Sequence, residues 1–278
     1  MNDPLPPGLY IVATPIGNLG DLTMRAADVL RRAALVLAED KRVSSRIMAH
    51  VDAHVPMRTY NDHSDSADRD AIVARLGQEA IALVSDAGTP LISDPGYKLV
   101  REARAAGHNI VTVPGACAAV AALTLAGLPT DRFLFLGFLP AKEKARADAI
   151  AEVAAIRATL VLYESGPRLA AMLTALADGL GAREGAVARE LTKLHEECVT
   201  GDLRELAARY AEAPPKGEIV VVVGPPPDAE APSLEDLDSA LRAALAAGES
   251  PSRAAAAIAQ RLGVRRKLAY ERALELGR

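Results

Sequence analysis

The sequence predicts an α/β protein: two α/β domains followed by a small all-helical domain. Short β-prone apolar runs alternate with stretches of helical apolar spacing, glycine- and proline-containing loops follow several of those runs, and a Pro-rich break precedes an Ala-rich helix pair. The chain has 278 residues, 32 Lys+Arg against 36 Asp+Glu, and half of it is apolar. That is enough for sizeable cores and unlike a disordered chain.

Leu9 to Ala13 reads as a strand that stops at Thr14-Pro15 and runs into a loop with Gly17, Asn18 and Gly20. Helical spacing follows from Leu22 to Leu30, and Ala34 to Ala38 reads as a second strand ending on Glu39 and Asp40. A helix around Ala67 to Leu76, a strand Ile81 to Val84, a helix Tyr97 to Ala106 and a strand Ile110 to Val113 continue the pattern, and Pro114-Gly115 opens another helix. Such alternation implies a parallel sheet covered on both faces, with ligands at the carboxyl ends of its strands, where the loops after Ala13, Val84 and Val113 fall.

Beyond Pro129 the rhythm changes to the run Phe133 to Leu139, a charged helix from Lys142, and strands at Thr159 to Tyr163, Gly185 to Arg189 and Ile219 to Val223. This predicts a second α/β unit with a mixed sheet, and Gly224-Pro225-Pro226-Pro227 predicts a linker. The Ala-rich stretch from Pro251 to Leu262, the turn Gly263-Val264 and the stretch Arg265 to Leu274 have helix-turn-helix spacing. The expected domains are 8–116, 117–228 and 233–278.

The charge-free stretch Pro114 to Thr130 is broken by Gly115, Gly127 and Pro129 and falls short of the ~20 apolar residues of a membrane span. Met1 to Pro4 lacks a basic segment leading into an apolar one, so no secretory signal is expected. Cys117 and Cys198 are too few for a disulfide framework and lack zinc-ligand spacing, which points to a reducing, cytoplasmic setting. Nine aromatics and a net charge of −4 argue against base-stacking platforms. The charge is unevenly spread, however: residues 1–232 carry 24 basic and 30 acidic residues, while 253–272 carry six Lys and Arg against Glu271 alone. A basic helix pair is read either as a phosphate-binding face or as the solvated face of a small bundle.

The loop Ser85 to Tyr97 is the most informative stretch. Asp86, Asp94, Gly88, Pro90, Pro95 and Gly96 together are more than a turn requires. A carboxylate there suits an amine, a ribose hydroxyl or a sulfonium-bearing ligand, and Gly88 permits close backbone approach. The plainer alternative has Asp94 capping a helix and Asp86 bonding loop amides.

The string SDAGTPLISDPGYKL closely resembles the signature of the ribosomal RNA small subunit methyltransferase I family, a branch of the tetrapyrrole methylase superfamily. In order along the chain, LYIVATPIGNLGDLT, AEDKR, VPGACAAVAAL, GFLP, ARELTKLHEE and KGEIVVVVG are also similar to it, as is the terminal helix-turn-helix. The resemblance implies a homodimeric enzyme that uses S-adenosylmethionine, lying between two α/β domains, to methylate the ribose 2′-hydroxyl of a decoding-centre cytidine in 16S rRNA of the small ribosomal subunit. It further implies cofactor contacts from Pro15 and Gly17, from Ser85, Asp86, Gly88 and Thr89, from Ala116 and Cys117, and from Tyr163, Ala188 and Gly217. Two places depart from the family pattern. Gly166-Pro167 stands where relatives show Pro-His, and the stretch around His63 matches only partly, so His63 is read as a surface-loop residue.

Methyl transfer from a sulfonium needs alignment, exclusion of water and an acceptor for the hydroxyl proton, and it needs no metal. Glu39 and Asp40 are the candidate bases, weighed against an ion pair with Lys41 or Arg42. Lys193 and Arg189 are possible substrate-side cations, and Cys117 is expected to be structural. RNA contacts are expected from Lys142, Lys144 and Arg146 and from Arg261, Arg265, Arg266 and Lys267. The competing readings are a tetrapyrrole or other small-molecule methylase, which gives no reason for the helix-turn-helix, and a DNA-binding regulator, which gives none for the SDAGTP loop.

Overall fold

The computed structural model describes residues 4–61, 65–227 and 233–277. By its contacts the chain forms two compact units, 1–226 and 227–278. The first contains two five-stranded sheets.

The first sheet has β1 (Gly8–Val12), β2 (Leu35–Ala38), β3 (Met57–Thr59), β4 (Ala80–Val84) and β5 (Ile110–Val113) in the order β3-β2-β4-β1-β5, all parallel. Strand residues alternate between faces, as the period of two demands. Ala80, Ala82 and Val84 enter the core built with α1 (Met24–Arg32) and α2 (Lys41–His50), while Ile81 and Leu83 enter the core built with α3 (Ser66–Arg75) and α4 (Tyr97–Ala105). With both faces covered, β4 is buried along its whole length. The chain leaves β1 toward β2 on one side and leaves β4 toward β5 on the other, so the β1/β4 pair is the topological switch point.

The expected strands and helices occur, most within two residues of their predicted ends. Sequence reasoning missed α2 and β3. In α2 only Ser44, Ile47 and Met48 are buried, a thin apolar stripe, and β3 is a three-residue edge strand.

The second sheet has β6 (Phe133–Phe138), β7 (Thr159–Ser165), β8 (Glu184–Arg189), β9 (Glu197–Asp202) and β10 (Glu218–Val223) in the order β6-β7-β10-β8-β9. It is mixed, as expected: β6 and β7 are parallel and the other pairs antiparallel. Ile219, Val221 and Val223 of β10 face α6 (Glu143–Val153), α7 (Gly166–Leu180) and α8 (Leu203–Glu212), and Val220 and Val222 face α5 (Ala118–Leu125). Thus α5 follows the last strand of the first sheet but packs on the second. The sequence reading did not foresee α7, α8 or β9.

The second unit is a three-helix cluster of α9 (Leu234–Ala246), α10 (Pro251–Leu262) and α11 (Arg266–Leu276) around Leu237, Leu241, Ile258 and several alanines. Ser233 and Asp236 form a capping box on α9, and Gly263 ends α10 with φ +67° in the left-handed region that a side chain disfavours. Arg272 is ion-paired with Asp238.

The Gly166 departure has a structural partner. A Cβ at Gly166 would lie 1.7 Å from the Pro215 carbonyl oxygen, so the entry to α7 and the segment before β10 fit together only without a side chain there. Gly166→Ala is expected to destabilise the protein by ~2–3 kcal/mol through forced backbone displacement, checked by denaturant unfolding against wild type.

Candidate active site

The carboxyl ends of β1, β2, β4 and β5 are laced together. Thr14 N donates to Gly88 O (2.8 Å) and Gly88 N to Thr14 O (3.1 Å), a two-way bridge between the loops after β1 and β4. The Thr14 hydroxyl donates to Ser85 O (3.2 Å) and the Thr89 hydroxyl to Ala116 O (3.0 Å), which ties in the loop after β5. Asp40 N donates to Asp86 Oδ1 (3.0 Å), which ties in the end of β2. Gly88 has φ +82°, and a Cβ there would meet Ile16 Cγ2 at 3.3 Å.

These loops form one wall of a cavity of about 250 Å3, and the other wall comes from the second sheet. Its apolar lining includes Ile16, Ile92, Phe138, Leu191, Ile219 and Val220. Tyr163 stands between Phe135 and Phe138, with ring centroids 5.0 and 5.7 Å away in edge-on geometry, and its hydroxyl accepts from Ala119 N (3.2 Å) at the start of α5. Burial, then the Cys117 side chain, pushes the Tyr163 phenol up to about 12. It therefore stays neutral.

The charge of the lining is lopsided. Glu39, Asp86, Asp94, Glu164, Glu190 and Glu218 face the cavity, with Lys193 as the single basic residue of its lining among the described residues. Lys193 is itself 3.0 Å from Glu190 Oε1. Buried Glu164 pairs with Arg168 (3.2 Å) and accepts from Ser165 N (2.8 Å). Burial first, and then Asp86, Asp94 and Asp40, raises the Glu39 carboxyl. Burial pushes Asp94 up to about 6, with Asp86 and Glu218 adding to the rise and a bond from the Ser85 hydroxyl opposing it.

Of the residues named from the sequence, the structure brings Glu39, Asp86, Gly88, Thr89, Asp94, Cys117, Tyr163 and Lys193 to the cavity. Ser85 lies buried just behind, its hydroxyl turned to the Gly88 carbonyl (3.3 Å). Pro15 and Gly17 lie in the loop after β1, where a Cβ on Gly17 would sit 2.7 Å from the Lys193 chain. Ala116 offers its carbonyl to Thr89. Gly217 has φ +91° and a Cβ position 2.8 Å from Glu190 Oε1, next to Glu218.

Asp40 and Ala188 are the corrections. Asp40 does not line the cavity. It caps α2 through Arg42 N (2.8 Å) and is ion-paired with the Arg42 guanidinium (2.6 Å), whose hydrogen bonds hold the carboxyl down at about 2. Ala188 is wholly buried within β8, in register between Val220 and Cys198, and does not reach the cavity surface. Arg189 pairs with Glu197 (2.6 Å) and also lies off the cavity. His63 lies outside the described residues. Sequence reasoning did not name Glu164, Glu190 or Glu218 and gave Asp94 only a possible capping role, although each lies inside or beside a quoted motif. Among the described residues no group of three or more His, Cys, Asp or Glu is arranged to hold a metal ion, and no helix is long and apolar enough to cross a membrane.

Two five-stranded sheets facing a shared cavity make this a methylase of the tetrapyrrole type. The family model for Tetrapyrrole (Corrin/Porphyrin) Methylases matches residues 8–207, and the fold is similar to that of diphthine synthase (TM-score 0.63, 15% identity, 78% of this chain and 89% of that one) and of a cobalt precorrin-4 methyltransferase (TM-score 0.58, 16% identity, 78% and 94%). The model of the RsmI C-terminal HTH domain matches 231–277. The chain is 55% identical over 274 residues to ribosomal RNA small subunit methyltransferase I of Erythrobacter litoralis (99% of this chain, 97% of the relative) and 44% identical to that of Escherichia coli O157:H7 (96% and 94%). It belongs to the ribosomal RNA small subunit methyltransferase I family.

The Asp94 environment has a consequence for stability. Its carboxyl titrates near 6 in the fold against 3.8 ordinarily, so the fold holds this proton more tightly than the unfolded chain does. The associated stability is complete below pH ~4 and is lost as the pH rises through ~6. Asp94→Asn, neutral throughout, is expected to gain ~1–2 kcal/mol over wild type at pH 8, after discounting for partial solvent screening, and nothing at pH 4. Paired melting curves from pH 4 to 8 check this.

Proposed function

We propose that the protein transfers the methyl group of S-adenosylmethionine to the ribose 2′-hydroxyl of a decoding-centre cytidine in 16S rRNA of the small ribosomal subunit. The observation that carries this reading is the charge of the cavity. Six carboxylates against one lysine suit a ligand bearing a sulfonium and an ammonium and disfavour an anionic one. Bound there, S-adenosylmethionine supplies a methyl group on a positively charged sulfur.

The residues present fit that group. The Gly88 turn, open to close backbone approach, and the Thr14, Thr89 and Asp86 bonds hold the loop after β4 rigid against it. Ile16, Ile92, Phe138, Tyr163 and Leu191 exclude water from the reacting atoms. The assignments of Ser85, Asp86, Gly88, Thr89, Ala116, Cys117 and Tyr163 to the cofactor are supported by this clustering, and those of Pro15, Gly17 and Gly217 by their places in its flanking loops. A carboxylate of the cavity takes the hydroxyl proton. Of the two candidates read from the sequence, Glu39 is among the carboxylates of that cavity and Asp40, committed to Arg42, is not.

The RNA partner is supported by family membership and by α10 and α11. Arg261, Arg265, Arg266 and Lys267 are exposed and have no ion-pair partner among the described residues. Three of them crowd the N-terminal end of α11, where the helix dipole disfavours positive charge, so helix stability does not account for them. Around α6, Lys142 is exposed while Lys144 is paired with Asp148 (2.9 Å) and Arg146 Nη1 donates to Ala141 O, which makes this the weaker cluster. Two copies per enzyme are part of the same proposal, supported by exposed Val120 and Leu125 on the uniformly apolar α5.

Labelled S-adenosylmethionine incubated with small subunits lacking the modification is expected to yield 2′-O-methylcytidine on nucleoside analysis. Label on a base, or transfer to a porphyrinoid instead, overturns the reading. Joint replacement of Arg265, Arg266 and Lys267 by Glu is expected to reduce transfer at least ~10-fold at moderate salt with cofactor affinity unchanged. Wild-type turnover would return those residues to a merely solvated face.

A further inference from the structure

We infer that Asp94 is the residue that accepts the ribose hydroxyl proton during methyl transfer, an assignment that rests on the reaction proposed above. Two features of the structure carry it: how the chain presents this side chain, and which carboxylates are already committed elsewhere.

Asp94 sits on a segment held in an unfavourable shape. Leu91 and Ser93 both have left-handed backbone, φ 75° and 64°, which costs ~1–3 kcal/mol for a residue with a side chain. Gly96 (φ +133°) closes the segment so tightly on Leu83 that a Cβ there would lie 2.7 Å from Leu83 Cδ2. At its other end the Ser93 hydroxyl reaches to within 3.1 Å of where a Cβ on Gly137 would be, at the bulge in β6. The segment therefore leaves the first sheet and reaches the second, carrying Asp94 into the cavity between them. In the cavity Asp94 lies with Asp86 and Glu39 of the first wall and with Glu218 and Tyr163 of the second, and its charge is felt at both Glu39 and Tyr163.

The remaining acids are occupied or peripheral. Asp86 accepts the Asp40 amide, Glu164 is bound to Arg168 and Ser165, Glu190 faces Lys193, and Glu218 is exposed at the start of β10. Glu39 remains, at the end of β2 and confined to the first-sheet wall. Among the described residues Asp94 has no Lys or Arg partner, and its titration near 6 leaves it mostly ionised at pH 7 and still basic enough to take a proton near neutrality. In the step, the ribose oxygen bonds to the methyl carbon as the carbon–sulfur bond breaks with its electron pair left on sulfur, and the hydroxyl proton passes to an Asp94 carboxylate oxygen. Beside burial, the charges of Asp86 and Glu218 help keep Asp94 basic, a positioning role.

The test measures single-turnover methyl transfer to unmodified small subunits from pH 5 to 8.5, alongside calorimetric binding of S-adenosylmethionine. Wild type is expected to show an acid limb near pH 6. Asp94→Asn should lose at least ~100-fold in rate, measured at cofactor concentrations that saturate the variant, and the acid limb with it. Asp94→Glu should recover part of the rate with a displaced limb, and Glu39→Gln should keep more than a tenth of the rate with the acid limb retained. Near-wild-type turnover by Asp94→Asn, or an acid limb lost in Glu39→Gln and retained in Asp94→Asn, overturns the assignment. So does an Asp94→Glu protein that binds cofactor normally but recovers no rate over Asp94→Asn. Failure of the wild-type protein to label ribose at all would instead sink the underlying reaction, and the two failures are distinguishable.

Discussion

The two-way bridge between Thr14 and Gly88 is the contact on which the rest of the site depends. It joins the loops leaving β1 and β4, adjacent strands from which the chain departs in opposite directions, so a crevice must open between those loops. Thr14 is buried, and its backbone and side chain both bond the loop after β4. Asp86 and Thr89 then fasten that loop to the ends of β2 and β5. The wall of the cavity is thus a set of irregular segments made rigid by satisfied polar groups, which lets it keep the left-handed backbone at Leu91 and Ser93.

That rigidity holds together charges that repel. Burial raises the proton affinity of Glu39 and of Asp94, and the charge of Asp86 raises both further. A fold built only for stability would replace one of them with a neutral residue, as natural proteins retain such defects chiefly where function needs them. A cation bound among them removes the repulsion, so ligand binding and folding stability are coupled through these carboxylates. Loss of the positive charge at the reacting atom restores the repulsion, and a cavity of this charge therefore holds a sulfonium more strongly than the neutral thioether left after transfer.

Much of the first wall was legible in the sequence, because local rules govern it. Apolar runs of four or five residues marked β1, β2, β4 and β5, and the glycines and prolines after them marked the loops. The second wall was harder to read. Glu164, Glu190 and Glu218 reach the cavity from β7, the turn after β8 and β10, and only the antiparallel register of β10 with both neighbours brings them together. Nor could spacing separate Glu39 from Asp40. Consecutive residues leaving a strand point to opposite sides, and whether Arg42 folds back onto the second of them is decided by the start of α2. Asp94 was read as a possible helix cap, but the N-cap of α4 is Gly96, which has no side chain to cap it.

The uneven charge along the chain follows from the same chemistry. Residues 1–232 carry a net of −6, and 233–278 carry eight basic residues against six acidic. On the proposed reaction, an RNA must bring one ribose hydroxyl into a cavity that repels its phosphates. A negative cavity favours entry of the sugar edge with the flanking phosphates outside, and the attraction that holds the RNA has to come from elsewhere in the chain. Arg261, Arg265, Arg266 and Lys267 are the exposed cations proposed to supply it. On this proposal the grip on phosphate and the chemistry on ribose fall to different stretches of the sequence, which lets an acidic protein act on a polyanion.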